Sequence, residues 1–358
     1  MTAGLLKKAQ AGERLGREDI KGLLSISEQA DLSRLFAASR AARQAYFGEA
    51  VFLYGFLYFS THCRNNCRFC QYRRTNTDLK RYRKTLPEII GAAKEMARTG
   101  VHLIDLTMGE DPEFCRTGYQ PLVNLVRAVK RETGLPVMVS PGVIPAKVIR
   151  DLAGADAEWL ACYQETHNRK LFTLLRPGQD YDLRMASKKT AVREGLLVEE
   201  GLLTGVGETL EDLADSIISM RDLPADQIRV MTFVPQVGTP MACRPGASRL
   251  LERKTIAVMR LAMPDRLIPA SLDVDGLDGL RYRLDAGANV VTSIVPPASG
   301  LAGVANNTLD IAESRRSVDH VSEILTACGL SVAPHSRYRD WIRHRQNKKT
   351  TTTAASAA

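Results

Sequence analysis

The sequence predicts an α/β protein, a closed (β/α)8 barrel of the TIM type with an N-terminal helical extension. Three observations indicate this fold. Between residues 51 and 332, short apolar segments rich in β-branched residues alternate with amphipathic segments, as in a parallel sheet with helical crossovers. The alternation gives eight units over roughly 280 residues, the size of such a barrel. No linker rich in Pro, Gly or Ser divides the segment, which predicts one domain. An open doubly wound sheet is the alternative.

Residues 1–50 precede the first strand and are predicted to be helical. Ser25–Glu28 has the Ser-x-x-Glu pattern of a capping box, and apolar residues recur at helical spacing from Leu32 to Ala42. This segment is predicted to lie against the barrel as a lid or base.

The alternation then sets the order of the barrel elements. The predicted strands are Val51–Ser60, Val101–Thr107, Pro136–Ser140, Glu158–Gln164, Leu196–Thr204, Ile228–Phe233, Leu267–Leu272 and Asn289–Ile294. The predicted helices start at Thr85, Pro121, Ala146, after Gln164, and at Thr209, Ser248, Gly276 and Val318. Active sites of such barrels lie at the carboxyl ends of the strands, so the residues that follow each strand are the candidates for function.

Composition indicates a globular protein without a membrane span. Of the 358 residues, 44% are hydrophobic and 25% charged, values typical of soluble domains. The longest apolar window, Val51 to Phe59, is too short to cross a bilayer. The first ten residues lack the pattern of a secretory signal. We therefore expect a cytoplasmic location and no membrane partner.

Much of the net charge of +9 lies near the C-terminus, where residues 333–358 contain six Lys or Arg residues and one acidic residue, Asp340. Residues 333–358 end in a run of Thr and Ala of low complexity. We predict a basic, disordered tail. A solvated end is favoured over an RNA-binding arm, so no nucleic acid is expected as a partner.

A cluster of cysteines follows the first predicted strand. Cys63, Cys67 and Cys70 stand in a Cys-x3-Cys-x2-Cys loop with Phe69 before the last one. Three thiolates are one short of the four that hold an iron–sulfur cube, so one iron would be open to another ligand. A structural zinc knuckle is the alternative, but its fourth ligand would have to be His62, which adjoins Cys63 and is badly placed to complete a tetrahedron.

This loop resembles that of the radical S-adenosylmethionine (SAM) superfamily. There, three cysteines hold a 4Fe–4S cluster, and the amino and carboxyl groups of SAM chelate the open iron. The resemblance implies that Cys63, Cys67 and Cys70 are the cluster ligands. The residues that match SAM-contacting positions are Phe69 beside the adenine, the Gly109-Glu110 turn at the ammonium, Ser140, Glu165 and Arg184 at the ribose and carboxylate, and Val206 in the adenine wall.

Four polar residues occupy strand positions that should face the barrel interior. These are Asp105, Arg229, Ser271 and Asp273. A buried charge is costly unless it is paired. Their convergence would suit a small zwitterion, with the arginine on a carboxylate and the aspartates on ammonium groups. The alternative is a structural network in which the charges pair with one another.

The local sequences around these residues resemble the methylornithine synthase family of pyrrolysine biosynthesis. The matching stretches are Asp105–Pro112, Arg229–Phe233, Pro269–Asp273, Tyr163–Thr166, Gly201–Gly207 and Gly287–Ser293. The resemblance implies an isomerase that converts L-lysine into 3-methylornithine, expected as 3-methyl-D-ornithine. It implies hydrogen abstraction by a 5′-deoxyadenosyl radical, fragmentation and recombination, with an electron donor such as flavodoxin or ferredoxin. No catalytic residue is expected beyond those that position cofactor and substrate.

Two other functions remain open from the sequence. A biotin-synthase-like or hydrogenase-maturase-like enzyme would act on another small amino acid or thiol, and Cys115 and Cys162 are the candidates for a second cluster. A non-catalytic RNA-binding protein would use the cysteine loop and the basic tail.

Overall fold

The computed structural model describes residues 2–295 and 316–357, and its central feature is a parallel barrel. The strands are β1 (Ala50–Ser60), β2 (Leu103–Met108), β3 (Val137–Ser140), β4 (Trp159–Ala161), β5 (Leu197–Thr204), β6 (Gln227–Thr232), β7 (Pro269–Ser271) and β8 (Val290–Ile294). Their order in the sheet is β6-β5-β4-β3-β2-β1-β8-β7, all parallel. The predicted (β/α)8 fold is thereby confirmed.

The barrel closes between β6 and β7 at one end only. A single bridge joins Gln227 to Leu267, and the backbone N–H of Ile228 donates to the Leu267 carbonyl at 3.0 Å. These contacts lie at the amino ends of the two strands. This junction between β6 and β7, the seam of the barrel, is therefore held together at the amino ends of the strands. That end, the floor of the barrel, lies opposite the cysteine loop.

Helices cover the outside of the barrel. Before β1 come α1 (Thr2–Gln10), α2 (Arg17–Leu24) and α3 (Gln29–Phe47). The helices between and after the strands are α4 (Leu86–Arg98), α5 (Pro112–Arg116), α6 (Gln120–Thr133), α7 (Ala146–Ala153), α8 (Arg169–Leu175), α9 (Tyr181–Arg193), α10 (Leu210–Asp222), α11 (Arg249–Ala262), α12 (Leu280–Asp285) and α13 (Val318–Ala327). Capping boxes at Thr85 and Thr209 fix the starts of α4 and α10.

The C-terminal segment differs from its prediction. Residues 335–357 form a helix, α14 (His335–Ala357), preceded by a short strand β9 (Ser331–Val332) that pairs with β1. Tyr338 and Ile342 are buried, and the Trp341 ring stacks on Trp159 at 5.8 Å. The prediction of a disordered tail was therefore wrong for this segment, because its few apolar residues lie on one side of a helix that covers the barrel floor.

Two of the basic residues of α14 are buried ion-pair partners. Arg345 contacts Asp226 at 3.0 Å and Asp265 at 2.9 Å, and Lys349 also pairs with Asp226. Asp226 directly precedes β6, and Asp265 lies in the loop before β7. The helix thus ties together the two sides of the seam, and this part of the positive charge serves the fold. Within the described residues, no helix is long and apolar enough to span a membrane.

Candidate active site

The cysteine loop leaves the carboxyl end of β1 at a register irregularity between Tyr58 and Ser60, a device that bends a strand. The loop is tied to its neighbours through the backbone. Arg64 N donates to the Glu110 carbonyl at 2.9 Å, and Arg68 N donates to the Leu175 carbonyl at 2.8 Å. It therefore spans from the β2 end to the α8 end, over the mouth of the barrel.

Gly109 is required by this arrangement. A Cβ at Gly109 would lie 2.3 Å from the His62 carbonyl oxygen and 2.9 Å from the Cys63 Cβ, so any side chain would push the loop away. The predicted Gly109-Glu110 turn thus lies directly against the cysteine loop.

The three cysteines form a donor set suited to a cluster. Cys67 is buried, and Cys63 and Cys70 are half-buried. Burial, followed by the nearby Cys67 and Cys63 thiols, raises the pKa of Cys70. Among residues 2–295 and 316–357, no three His, Cys, Asp or Glu side chains converge on the position of a single metal ion. In a cube each thiolate binds a different iron, so the ligands stand further apart than around one zinc. The three thiolates of this loop match the ligand number of a cubane cluster that keeps one iron open.

A cavity with ≈ 730 Å³ of empty space, part of it open to solvent, lies beneath the loop. Alternate residues of the strands line it, including Phe56, Asp105, Ser140, Arg229 and Met231, and Phe69 and Cys70 border it from above. The cavity therefore joins the predicted cofactor residues to the predicted substrate residues.

Asp105 offers one free carboxylate oxygen to this cavity. It is fully buried, and its Oδ1 accepts a hydrogen bond from Ser140 Oγ at 2.8 Å, while Oδ2 has no hydrogen-bond partner among the residues that the structure describes. Burial, then the nearby Glu199 carboxylate, raises the pKa of Asp105 to about 7. Since an unpaired buried acceptor is costly, the free oxygen marks a place for a ligand donor.

Arg229 offers a free donor on the other side. Its Nε contacts Glu199 Oε1 at 2.7 Å and its Nη1 donates to Thr292 Oγ1 at 3.0 Å, but Nη2 has no partner within residues 2–295 and 316–357. The Tyr163 hydroxyl donates to the other Glu199 oxygen at 2.8 Å. Glu199 and Tyr163 thus hold the guanidinium in place, with one nitrogen left over.

The remaining two candidates are more fully engaged. Asp273 lines the cavity, but it accepts from the Tyr58 hydroxyl at 2.9 Å and from Arg316 at 2.8 Å. Ser271 is buried, lies 3.3 Å from the Ser293 hydroxyl, and accepts the backbone N–H of Asp273. The alternative, in which these charges pair with one another, is not what the structure shows: Arg229 pairs with Glu199 and Asp273 with Arg316, while Asp105 accepts from the Ser140 hydroxyl.

The residues predicted to contact SAM include charged side chains that form ion pairs and apolar side chains that pack together. Glu165 lines the cavity and pairs with Arg176 at 2.8 Å. Arg184 is buried and pairs with Glu110 at 2.9 Å, so these two predicted residues bind each other. Val206 belongs to a small apolar cluster with Leu171, Leu175, Leu203, Phe233 and Met241, against which Phe69 packs. That cluster provides a flat apolar wall beside the cysteine loop.

Several residues that complete the site were missed from the sequence. Glu199 carried a signal, because it is one of two adjacent acids in a mostly apolar strand and is in phase with Leu203. Arg176 and Gln179 adjoin the Pro-Gly turn that follows α8. Arg316 carried no signal, because it lies outside any strand and far along the chain from its partner Asp273.

Comparison with known proteins places this architecture in a family. The model of the radical SAM superfamily matches residues 57–218. A 3-methylornithine synthase from Methanosarcina barkeri is 44% identical over 326 residues, which covers 91% of this chain and 93% of that protein. The chain belongs to the 3-methylornithine synthase family. A crystal structure of methylornithine synthase superposes with a TM-score of 0.90 at 43% identity, over 94% of this chain and 99% of that one.

More distant relatives share the same scaffold. The hydrogenase maturase subunit HydE of Thermotoga maritima is 31% identical, over 80% of this chain and 82% of that protein. The hydrogenase maturase HydG of Carboxydothermus hydrogenoformans shares the fold with a TM-score of 0.80 at 22% identity. As a member of its family, the chain is a radical SAM enzyme of the isomerase class that uses a 4Fe–4S cluster and SAM.

Proposed function

We propose that this enzyme rearranges L-lysine into 3-methylornithine, as 3-methyl-D-ornithine, in pyrrolysine biosynthesis. The observation that carries the proposal is a pair of polar atoms on residues that line the cavity, Asp105 Oδ2 and Arg229 Nη2, which have no hydrogen-bond partner in the described part of the chain. They are an acceptor and a donor on the lining of one cavity, as a substrate with ammonium and carboxylate groups requires. The names of the relatives, 3-methylornithine synthase, support the choice of product.

The residues of the loop and its surroundings would hold the cofactors. Cys63, Cys67 and Cys70 are proposed as the cluster ligands. Phe69, Gly109, Glu110, Ser140, Glu165, Arg184 and Val206 are proposed to surround SAM. When bound, the cluster and SAM supply the radical that takes a hydrogen atom from the substrate. Glu110 already pairs with Arg184, so we propose that this pair orders the SAM site as one unit.

The barrel residues would hold the substrate and exclude water. Arg229 would bind the lysine carboxylate, and Asp105 would accept from an ammonium group. Asp273, fixed by Tyr58 and Arg316, would border the substrate as one side of an ion pair, with Ser271 supporting its backbone. Apolar side chains such as Phe56 and Met231 line the rest of the space. A dry pocket of this kind would keep two substrate fragments together until they recombine.

The test is anaerobic incubation of the reduced enzyme with SAM and isotopically labelled lysine, followed by mass spectrometry. A product isomeric with lysine is expected, and it should be lost in the Cys67→Ala variant. A product of different mass would contradict the mutase.

The ionisation of Asp105 predicts a pH dependence of substrate binding. Its pKa is raised to about 7, so the carboxyl is largely neutral one unit below that value and largely ionised one unit above. Because only the ionised form attracts an ammonium group strongly, lysine affinity should rise roughly tenfold from about pH 6 to about pH 8. Titrating the enzyme with lysine at each pH, with SAM cleavage as the readout, measures this change in affinity. The Asp105→Asn variant should bind more weakly and without that rise; an unchanged pH profile would contradict the assignment.

The alternative is a sulfur-inserting or maturation enzyme with a second cluster. Cys115 is exposed, with Arg64 Nη1 at 3.7 Å from its sulfur, whereas Cys162 is buried with Arg184 Nη1 at 3.2 Å. The two thiols thus have different environments. We expect about four irons per chain after anaerobic reconstitution, as one cube requires. About eight would favour the alternative.

We further propose a cytoplasmic enzyme served by a flavodoxin or ferredoxin. A reducing compartment keeps the three thiols available for the cluster, and a protein of this type would deliver single electrons to it.

A further inference from the structure

The turn that follows α8 directs two side-chain donors at one cluster cysteine. Gln179 Nε2 lies 3.0 Å and Arg176 Nη1 lies 3.4 Å from the Cys67 sulfur. Cys67 and Arg176 are both buried. By contrast, Cys63 receives the backbone N–H of Asn65 at 3.5 Å. The surroundings of the Cys67 sulfur are therefore more positive than those of the Cys63 sulfur, because they include the charged guanidinium of Arg176.

The local sequence fixes this geometry. Arg176-Pro177-Gly178-Gln179 closes with a hydrogen bond from Gln179 N to the Arg176 carbonyl at 3.1 Å, and Gly178 has φ +76°. Proline second and a left-handed glycine third are the features of a type II turn. This turn brings the first and last side chains to the same sulfur. The hydrogen bond from Arg68 N to the Leu175 carbonyl docks the end of α8 onto the cysteine loop.

The orientation of the Gln179 amide follows from its other contacts. Its oxygen accepts from Arg184 Nη2 at 2.7 Å and from Arg176 Nη1 at 3.4 Å. Since both neighbours can only donate, the amide oxygen must face them, and the NH2 group must face Cys67. The donor is thus held towards the sulfur by two arginines.

Arg176 also connects the sulfur to the predicted SAM site. Its Nη2 contacts Glu165 Oε1 at 2.8 Å, and its guanidinium lies 5.2 Å from the centre of the Phe69 ring. The guanidinium is therefore anchored independently of Cys67, and it would stay in place when the charge on the sulfur changes.

We propose that Arg176 and Gln179 are positioning residues that raise the reduction potential of the cluster through Cys67. One-electron reduction by an external donor adds a negative charge to the cluster. Hydrogen bonds to a ligand sulfur and a nearby buried cation stabilise the reduced form more than the oxidised form. The two residues would thus raise the potential so that a one-electron donor can reduce the cluster before lysine binds. The inference rests on the proposed role of Cys67 as a ligand, and it does not depend on the identity of the substrate.

The test is an anaerobic redox titration followed by electron paramagnetic resonance, without SAM or lysine. Arg176→Met should lower the equilibrium constant for reduction about tenfold, which moves the midpoint about 59 mV more negative. Gln179→Met, which keeps the side-chain length and loses the donor, should shift it in the same direction by less. Arg169→Met is the matched control, because it removes a cation from the start of α8, the helix that precedes Arg176, where Arg169 is exposed and paired with Asp182; no shift is expected.

Iron content separates the possible failures. If Arg176→Met fails to load iron, Gln179→Met decides the question. A fully loaded Gln179→Met that titrates at the parent potential would overturn the proposal, as would an equal shift in Arg169→Met. A Cys67→Ala variant with the parent iron content and spectrum would instead overturn the ligand assignment.

Discussion

Replacing Arg229 with alanine is expected to lower kcat/KM for lysine by at least about 100-fold, or about 2.7 kcal/mol in transition-state stabilisation. The change removes the free Nη2 atom that we assign to the substrate carboxylate. The cluster should be unaffected, since the contacts of Arg229 are Glu199, Thr292 and two aromatic rings. Lysine-dependent SAM cleavage and the visible spectrum measure the two effects separately.

A second variant separates binding from stability. Arg229→Ala leaves Glu199 buried without its cation, and breaking such a pair costs about 3–5 kcal/mol. Combining Arg229→Met with Glu199→Gln removes both charges and should recover the melting temperature, but not the turnover. Normal turnover in the double variant would show that Arg229 has only a structural role.

Deleting the chain from His335 onward is expected to prevent stable folding. The deletion exposes the floor of the barrel and leaves Asp226, which is fully buried, without Arg345 and Lys349. The lost ion pairs cost about 3–5 kcal/mol, and each lost apolar side chain adds about 1.5–3 kcal/mol. Together these approach the whole stability of a typical domain. Soluble yield and circular dichroism of the truncated chain measure the effect.

Two variants keep this prediction testable. A chain that ends at Thr350 retains Tyr338, Ile342, Arg345 and Lys349, whose contacts hold α14 against the barrel, and it should melt within about 2 °C of the parent. Arg345→Ala in the full chain should fold but melt earlier. A stable, soluble chain that ends before His335 would show that α14 is dispensable.

The repeating pattern of the sequence was sufficient for the fold. Apolar strands such as Val51–Ser60 and capping boxes such as Thr85–Glu88 are local signals, and barrel closure follows from eight alternating units. These local signals did not predict helix α14. Its sequence is polar and basic, and its stability comes from partners such as Asp226 and Trp159, which are distant in the chain.

The sequence predicted candidate residues for the barrel interior, but it did not predict their partners. Strand phase alone placed Asp105 and Arg229 in the interior, because side chains alternate across a strand. It could not show that Arg229 pairs with Glu199 and Asp273 with Arg316, since those partners are brought together only by the closed barrel. The assignment of Glu110 and Arg184 to SAM binding likewise remains a prediction. The structure adds that the two side chains form an ion pair, which holds both in place.

The sequence by itself determined the cysteine spacing, the barrel and the family to which the chain belongs, because motif spacing and hydrophobic period are properties of short segments. Only the tertiary structure decided which polar atoms remain free. Asp105 Oδ2, Arg229 Nη2 and the donors at Cys67 are defined by contacts between strands, loops and helices far apart in the chain. The physical reason is that burial and pairing, which fix the energy of a charge, depend on every neighbour in space.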